Sequence, residues 1–179
     1  MRPVNTKRIR DLSLELLGIN GQNRIAIDLL CGDGDDAQFI ASHYQQVYAF
    51  ESDKEILKQA IANNQKNNIK YIKEDHFNFD SHIAHFDGAF MNLGHLHDDG
   101  NTVGTLGGNI LRTLKKVITC LNSEGKLIVI CYPGSINGSI EATAISEFAG
   151  KLNDDEYNVA KIELLNRHHA PFLIVIERL

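Results

Sequence analysis

The chain has 179 residues, of which 43% are hydrophobic, and a formal net charge of −5. This length suits one ordinary domain with a sizeable core, so we expect residues 1–179 to form a single domain. No apolar run reaches the roughly 18 residues of a membrane-spanning helix. The negative net charge gives no global attraction for nucleic acid. The cysteines lack the paired spacing of a disulfide framework or a zinc site. Because no charged and apolar leader precedes the first predicted strand, we expect a cytoplasmic protein with reduced thiols.

The first 20 residues predict an N-terminal amphipathic helix. Apolar side chains recur at helical spacing within residues 1–18: Ile9, Leu12, Leu16 and Leu17. We expect this helix to cover a sheet edge or one face of the sheet, with its basic side toward water. The basic side is a local positive cluster, open to interpretation as a solubilising face or as an RNA contact: Arg2, Lys7, Arg8 and Arg10.

Strands then alternate with helices along the chain, which is the pattern of a parallel sheet. The predicted strands cover residues 24–30, 47–51, 69–73, 86–93 and 125–132, and the predicted helices cover residues 35–43, 53–64, 109–121 and 138–152. Two further strands, at residues 158–165 and 172–177, are joined by too short a link for a helical crossover, so they must pair antiparallel. Six parallel strands with one antiparallel strand resemble the sheet of class I methyltransferases. We therefore predict a Rossmann-like α/β fold with a mostly parallel seven-stranded sheet, an antiparallel C-terminal strand and helices on both faces.

The turn after the first predicted strand carries the strongest functional motif. The strand ends in Asp28 and Leu29, and the turn that follows contains Cys31, Gly32 and Gly34. Glycines let the backbone approach a ligand that a Cβ atom would repel. A carboxylate at the end of the second strand, Glu51, can accept hydrogen bonds from both hydroxyls of a ribose. Strand, glycine turn, helix, strand and carboxylate at this spacing predict a pocket for an adenosine-type cofactor.

Acidic residues at the entrance of the next helix indicate which cofactor is bound. A dinucleotide fingerprint requires a third glycine where this chain has Ala37. Asp33, Asp35 and Asp36 would repel a pyrophosphate, but they suit the cationic sulfonium and ammonium groups of S-adenosylmethionine. We therefore favour a methyltransferase over a dinucleotide-dependent enzyme and place these three carboxylates around the methionine moiety.

Polar residues at the other strand ends complete the predicted site, because ligands of open parallel sheets lie outside the carboxyl ends of the strands. Asp53 follows the second strand, and Asp75 and His76 follow the third, where we assign them to the edge of the adenine. Asn92 ends the fourth strand, beside the cofactor, and we predict that its side-chain oxygen orients a neutral acceptor amine. The predicted substrate-binding residues follow the later strands and turns: Gly94, His95, Tyr132, Gly134, Ser135, Glu141 and Asn166.

One cluster has side chains of metal-ligand type, namely His95, His97, Asp98 and Asp99. No further ligand is placed by the spacing, so we expect a solvated or substrate-facing loop and no metal.

Several segments together resemble the small class I methyltransferases of the "putative rRNA methylase" family. These segments are residues 28–36, 47–51, 90–94, 132–134 with Gly138 and Glu141, and Asn166 followed by 171–177. Characterised members of that family are tRNA 5-(aminomethyl)-2-thiouridine methyltransferases, which transfer a methyl group from S-adenosylmethionine to the aminomethyl arm of the wobble uridine. The resemblance implies a tRNA partner, a flipped or unpaired base presented to the Asn92 turn, and a homodimer.

The chain departs from the family pattern at the glycine turn and after the fourth strand. The family turn reads Asp-Ala-Thr-x-Gly-Asn-Gly, whereas this chain has Leu29, Leu30 and Asp33 in that stretch. The family sequence Tyr-Leu-Pro-Gly-Gly-Asp-Lys is replaced at residues 95–101, and Ser135 stands where the family has histidine. Methylation of another RNA or of a small molecule, and a non-catalytic cofactor- or RNA-binding module, therefore stay open as alternatives.

Overall fold

The computed structural model of the chain describes residues 4–18, 24–96 and 106–179, with side chains described for residues 7–18, 24–94 and 109–179. The strands are β1 (Ile25–Asp28), β2 (Gln46–Phe50), β3 (Ile69–Ile72), β4 (Phe86–Asn92), β5 (Leu121–Cys131), β6 (Tyr157–Ile162) and β7 (Phe172–Arg178). The α-helices are α1 (Val4–Gly18), α2 (Asp35–Ala41), α3 (Lys54–Asn63), α4 (Leu106–Cys120) and α5 (Ile136–Ala149).

The strands form a seven-stranded sheet in the order β3-β2-β1-β4-β5-β7-β6. Among the first five strands of this order, from β3 to β5, every neighbouring pair is parallel. Strand β7 pairs antiparallel with both β5 and β6, so it lies between two strands that run in the opposite direction to itself. Six strands thus share one direction and β7 alone is reversed, which confirms the predicted fold class.

The centre of the sheet is buried on both faces, as β5 illustrates. Leu127 and Val129 pack into the core under α4 and α5, whereas Ile128 and Ile130 pack into the core under α1 and α2. Successive residues of a strand point to opposite faces, so a strand covered on both sides reads as a continuous apolar run. This explains why the fifth strand was readable from sequence although it shows no alternation of polar and apolar residues.

The N-terminal helix α1 covers a face of the sheet rather than its edge. Its side chains Ile9, Leu14 and Leu17 are buried in the same core cluster as residues of β4, β5 and β7, and the helix contacts those three strands. Lys7 and Arg8 are exposed on its outer side, as the sequence pattern predicts.

Two short helices and one strand boundary differ from the predicted pattern. Turns of 3-10 helix span His76–Ser81, separated from the end of β3 by three residues, and Leu93–Leu96, directly after β4. Strand β5 begins directly after α4, and its pairing with β4 shifts register between Phe86 and Gly88. Among the residues that the structure describes, no helix has both the length and the apolar character needed to cross a bilayer.

Candidate functional site

The carboxyl ends of β1 and β4 lie side by side at the point where the strand order reverses. Asp28 of β1 is in register with Phe90 of β4, and Asn92, two residues further along β4, is in register with Ile130 of β5. The crevice at such a reversal is where open α/β sheets bind ligands. The predicted cofactor turn and the predicted acceptor residue therefore share one crevice.

The turn after β1 depends on two glycines in left-handed conformations. Gly32 has φ 51° and Gly34 has φ 86°, which L-residues rarely adopt. A Cβ atom at Gly34 would also lie 3.1 Å from the Cβ atom of Ala60 and 3.1 Å from the hydroxyl oxygen of Tyr71. The turn thus packs closely against α3 and β3, and this packing fixes its backbone conformation.

Glu51 joins this turn to the start of α3. Its Oε2 accepts a hydrogen bond from the Gly32 amide at 3.2 Å, and its Oε1 accepts one from the Asp53 amide at 2.8 Å. A carboxylate offers about four acceptor positions, so these two bonds orient the group and leave acceptor capacity for a ligand. This is the arrangement that a ribose-binding carboxylate requires.

Exposed carboxylates surround the mouth of the crevice. Asp53 caps α3 by accepting hydrogen bonds from the amides of Ile56 and Glu55, and these bonds lower the pKa of its carboxyl. Asp75 caps the first 3-10 helix through the Phe77 amide at 2.8 Å.

Asp33 and Asp35 are also exposed, beside and within the first turn of α2, and Asp33 accepts the Asp35 amide at 3.2 Å. This mouth is anionic, so it opposes phosphate and suits a cation.

His76 is buried beneath this mouth rather than exposed at it. Its Nδ1 lies 2.9 Å from the hydroxyl oxygen of Thr113 in α4. Burial lowers the pKa of the imidazole, although the nearby charge of Asp75 opposes the shift. The ring is therefore held neutral against α4, and its predicted contact with adenine stays a prediction.

Cys31 and Asp28 are also buried. Burial raises the pKa of the Cys31 thiol, with the charges of Asp28 and Glu51 adding to the effect, so the thiol stays protonated and is not a nucleophile. Asp28 Oδ1 accepts the Leu30 amide at 3.3 Å. The Cys31 side chain is fully buried, so any contact that this residue makes with a ligand is through its backbone.

Asn92 is the centre of a hydrogen-bond cluster at the end of β4. Its Oδ1 accepts from the hydroxyl of Tyr132 at 2.9 Å and from the amide of Gly94 at 3.2 Å, and its Nδ2 donates to Asp36 Oδ2 at 2.9 Å. Gly94 lies so close to the tyrosine that a Cβ atom there would be 2.8 Å from the Cζ atom of Tyr132. Four of the predicted site residues are thus brought together: Asp36, Asn92, Gly94 and Tyr132.

Asp36 and Arg10 occupy positions that the sequence analysis did not predict. Asp36 is 1% exposed, and its two oxygens accept hydrogen bonds from Asn92 Nδ2 and from Arg10 Nε. Arg10 therefore points inward from α1, so the expectation that all the basic residues of this helix face water is wrong for this one. A spacing signal was present: Arg10, Leu14 and Leu17 lie on one face of a helix with period 3.6.

The remaining predicted substrate residues lie beyond Tyr132. Gly134 and Ser135 line an open groove of about 550 Å³ together with Ile136, Ile140 and His169.

The Ser135 hydroxyl caps α5 by accepting the Gly138 amide at 3.1 Å, Glu141 is buried in α5, and Asn166 is exposed between β6 and β7. The side chain of His95 and the loop with His97, Asp98 and Asp99 lie outside the described residues. Within the described part of the chain, no group of three His, Cys, Asp or Glu side chains is placed to hold a metal ion.

These features fit an adenosine cofactor that carries a positive charge. Glu51 is oriented by two backbone amides beside a glycine turn, and the exposed carboxylates lie around the same crevice. The Asn92 cluster lies one strand away, where a group transferred from the cofactor would meet its acceptor. The arrangement supplies charge and position rather than a nucleophile, which is what alkyl transfer between two bound molecules requires.

Comparisons with known proteins agree with this description. The model of the family described as "Putative rRNA methylase" matches residues 46–177. A Streptococcus mutans protein, described as a methyltransferase and crystallised with S-adenosylhomocysteine (SAH), is 28% identical and superposes with a TM-score of 0.85 over 96% of this chain and 98% of its own. A Clostridium thermocellum structure described as an rRNA methylase is 22% identical and covers 100% of both chains with a TM-score of 0.86, which shows the fold alone.

One curated relative is the chloroplastic tRNA (mnm(5)s(2)U34)-methyltransferase of Arabidopsis thaliana. It is 25% identical over an alignment of 166 positions that covers 83% of this chain. The match spans 61% of the plant protein's own length.

Proposed function

We propose that this chain, which belongs to the putative rRNA methylase family, is an S-adenosylmethionine-dependent methyltransferase and that it methylates the aminomethyl group of a tRNA wobble uridine. The observation that carries the acceptor side of this proposal is the hydrogen bond between Tyr132 and Asn92 Oδ1 at the end of β4, one strand from the glycine turn.

The cofactor side of the site divides into three parts. Glu51 accepts hydrogen bonds from the two ribose hydroxyls, through the acceptor positions that its bonds with the Gly32 and Asp53 amides do not use. The backbone of the glycine turn and the carboxylates Asp33 and Asp35 lie along the methionine moiety, where the carboxylates attract its cationic groups. The segment that begins at Asp75 and His76 lies along the edge of the adenine. When bound, S-adenosylmethionine supplies the electrophilic methyl carbon.

The acceptor side has to hold an amine with its lone pair free. The Tyr132 hydroxyl donates a hydrogen bond to Asn92 Oδ1, so toward any other group its oxygen acts as an acceptor. It can accept one hydrogen of a neutral amine, and a main-chain carbonyl after β4 can accept another, which leaves the lone pair directed at the methyl carbon. Asn92 then orients the acceptor both directly and through Tyr132. The methylated nitrogen releases one proton to water, so no strong base is required.

Support for a tRNA acceptor comes from the named activity of the plant relative and from exposed basic residues on α1. Lys7 and Arg8 are exposed and can contact a phosphate backbone locally, although the overall charge is negative. Arg10 is removed from this contact surface by its bond to Asp36, and Arg2 lies outside the described residues.

The groove lined by Gly134 and Ser135 begins at Pro133, the residue after Tyr132, and we assign to it the nucleotide that carries the acceptor. We assign Glu141, Asn166 and His95 to its surroundings.

Two further parts of the proposal concern assembly and location. We propose a homodimer, which light scattering of the purified protein tests directly, with a monomeric mass as the contrary result. We also propose a cytoplasmic location. The chloroplast is the location named for the plant relative, so fractionation of the source cells decides this point.

The test of function begins with tRNA from cells that lack this protein. The purified chain and labelled S-adenosylmethionine are incubated with that tRNA, and the nucleosides are separated by mass spectrometry. We expect the aminomethyl uridine to gain one methyl group. Asn92→Ala should abolish the transfer while SAH still raises its Tm, because a ligand of the folded state stabilises by mass action.

Three other outcomes separate the alternatives. Binding of SAH with labelling of a different RNA nucleoside would replace the tRNA acceptor. Binding with labelling of small amines but of no RNA would make this a small-molecule enzyme. Binding without any transfer, by protein whose Tm rises normally, would make it a non-catalytic module.

A further inference from the structure

Helix α1 reaches the candidate active site through one side chain. Arg10 is half-buried, and its Nε donates to Asp36 Oδ1, whereas Lys7 and Arg8 on the same helix are exposed. The side chain of Asp36 is only 2% exposed. A buried carboxylate needs partners that replace its hydration, and Arg10 supplies a charged one.

Asp36 in turn fixes which way the Asn92 amide faces. A carboxylate can only accept hydrogen bonds, so the Asn92 atom beside Asp36 Oδ2 must be the donor Nδ2, as the 2.9 Å contact shows. The opposite side of the amide then presents Oδ1 to two donors, the Tyr132 hydroxyl and the Gly94 amide. Reversing the amide would set oxygen against carboxylate and NH₂ against both donors. Every neighbour therefore selects the same orientation.

We propose that Arg10 and Asp36 are positioning residues for methyl transfer. Arg10 holds the Asp36 carboxylate, Asp36 orients the Asn92 amide, and Asn92 thereby directs the Tyr132 hydroxyl at the acceptor. Helix α1 is then part of the active site as well as a cover for the sheet. This inference rests on the proposed roles of Asn92 and Tyr132, and it replaces the predicted place of Asp36 around the methionine moiety.

The first test observes the orientation of the amide and needs no RNA. In ¹⁵N-labelled protein with SAH, the side-chain amide of Asn92 is assigned from the signal that disappears in Asn92→Ala. We expect the Asn92 amide proton that is hydrogen-bonded to Asp36 to resonate downfield and to exchange slowly with solvent. Asp36→Ala should remove both properties, and Arg10→Ala should weaken them. Arg8→Ala, an exposed change on the same helix, is the matched control and should leave the signal unmoved. An Asn92 signal unchanged in Asp36→Ala would overturn the proposal.

The second test separates positioning from cofactor binding. Asp36→Ala should lower kcat about 10- to 100-fold, since small misplacements of reacting groups cost that much, while the KM for tRNA and the Kd for SAH stay near those of the wild type. Arg10→Lys, which keeps a cationic donor, should recover more activity than Arg10→Ala. A raised Kd for SAH with an unchanged kcat at saturation would make Asp36 a cofactor-binding residue and overturn the proposal.

The two tests also distinguish this inference from the proposed function. If wild-type protein transfers no methyl group to tRNA, the proposed function fails, but the amide signal still decides whether Arg10 and Asp36 orient Asn92. If Asp36→Ala does not fold, Asp36→Asn takes its place, because its amide is isosteric but uncharged and offers one acceptor oxygen to two donors, so the bond with either Arg10 or Asn92 is lost. A normal amide signal and normal kcat in folded Asp36→Asn would count against the proposal.

Discussion

Replacing Glu51 with alanine tests the cofactor pocket most directly. The carboxylate accepts hydrogen bonds from the amides of Gly32 and Asp53, at 3.2 Å and 2.8 Å. It therefore ties the glycine turn to the start of α3. Alanine removes this tie as well as the acceptors proposed for the ribose, so both stability and cofactor affinity should fall.

The two effects differ in size. The Asp53 amide is exposed and can bond to water instead, whereas Gly32 is buried, so the Gly32 bond should account for most of a loss of about 1–2 kcal/mol in the free energy of unfolding. That corresponds to a Tm lower by about 2–8 °C for a chain of this size. A hydrogen bond to a charged group contributes about 1.5–3 kcal/mol, so two lost ribose bonds weaken binding by about 3–6 kcal/mol. The Kd for SAH should rise at least about 100-fold.

Isothermal titration with SAH measures this change, and Glu51→Gln should give an intermediate Kd because it keeps one acceptor oxygen. Glu55→Ala is the matched control. Glu55 is exposed on α3 and bonds to Lys58, so its loss should leave the Kd unchanged. If Glu51→Ala binds SAH within about threefold of the wild type, a difference of less than about 1 kcal/mol, the carboxylate does not hold the ribose.

Three further changes probe the acceptor site, the buried histidine and the core. Gly94→Ala places a Cβ atom 2.8 Å from the Cζ atom of Tyr132, so methyl transfer should fall about tenfold while the Tm increase caused by SAH persists. Burial lowers the pKa of His76, so the stability that depends on its neutral imidazole is complete above about pH 6.5 and is lost as the pH falls toward the lowered pKa. In His76→Gln the Tm should therefore change less with pH than in the wild type, over about pH 7 to 5. Gly88→Ala places a Cβ atom 2.5 Å from the Tyr44 hydroxyl, which should destabilise the fold by about 1–3 kcal/mol in thermal or urea unfolding.

Contrary results are equally clear for these three variants. Normal transfer by Gly94→Ala would show that the tyrosine ring can move without cost. Parallel pH curves for wild type and His76→Gln would show that the imidazole titrates alike in the folded and unfolded chain. Gly134→Ala is a stability control for Gly88→Ala, because its Cβ atom would meet only the His169 carbonyl oxygen at 3.8 Å. An equal Tm for those two glycine variants would contradict the packing argument.

The sequence was sufficient to predict the sheet, because its signals are local. Apolar runs bounded by turns mark the strands, and the short link before β7 requires an antiparallel return. The glycine turn and Glu51 were predictable for the same reason, since each lies at the end of a strand. The 3-10 helices His76–Ser81 and Leu93–Leu96 were missed because segments this short have no hydrophobic period to read.

The contacts within the site were not predictable, because they join distant parts of the chain. Asn92 was recognised as a strand-end residue, but its partners Asp36 and Tyr132 lie on α2 and after β5. Arg10 was interpreted as a surface charge because basic residues on an amphipathic helix usually face water. Only the packing of α1 shows that this one charge has a buried partner. Spacing locates such residues in the fold, but it does not pair them.

The contact of α1 with β7 has a consequence for synthesis of the protein. These two elements lie near opposite ends of the described chain, yet Leu17 and Leu173 belong to the same core cluster. During translation, α1 leaves the ribosome long before β7 exists, so its apolar side stays without its full docking surface until the sheet receives its reversed strand. A nascent chain arrested before β7 would therefore expose that helix to proteolysis.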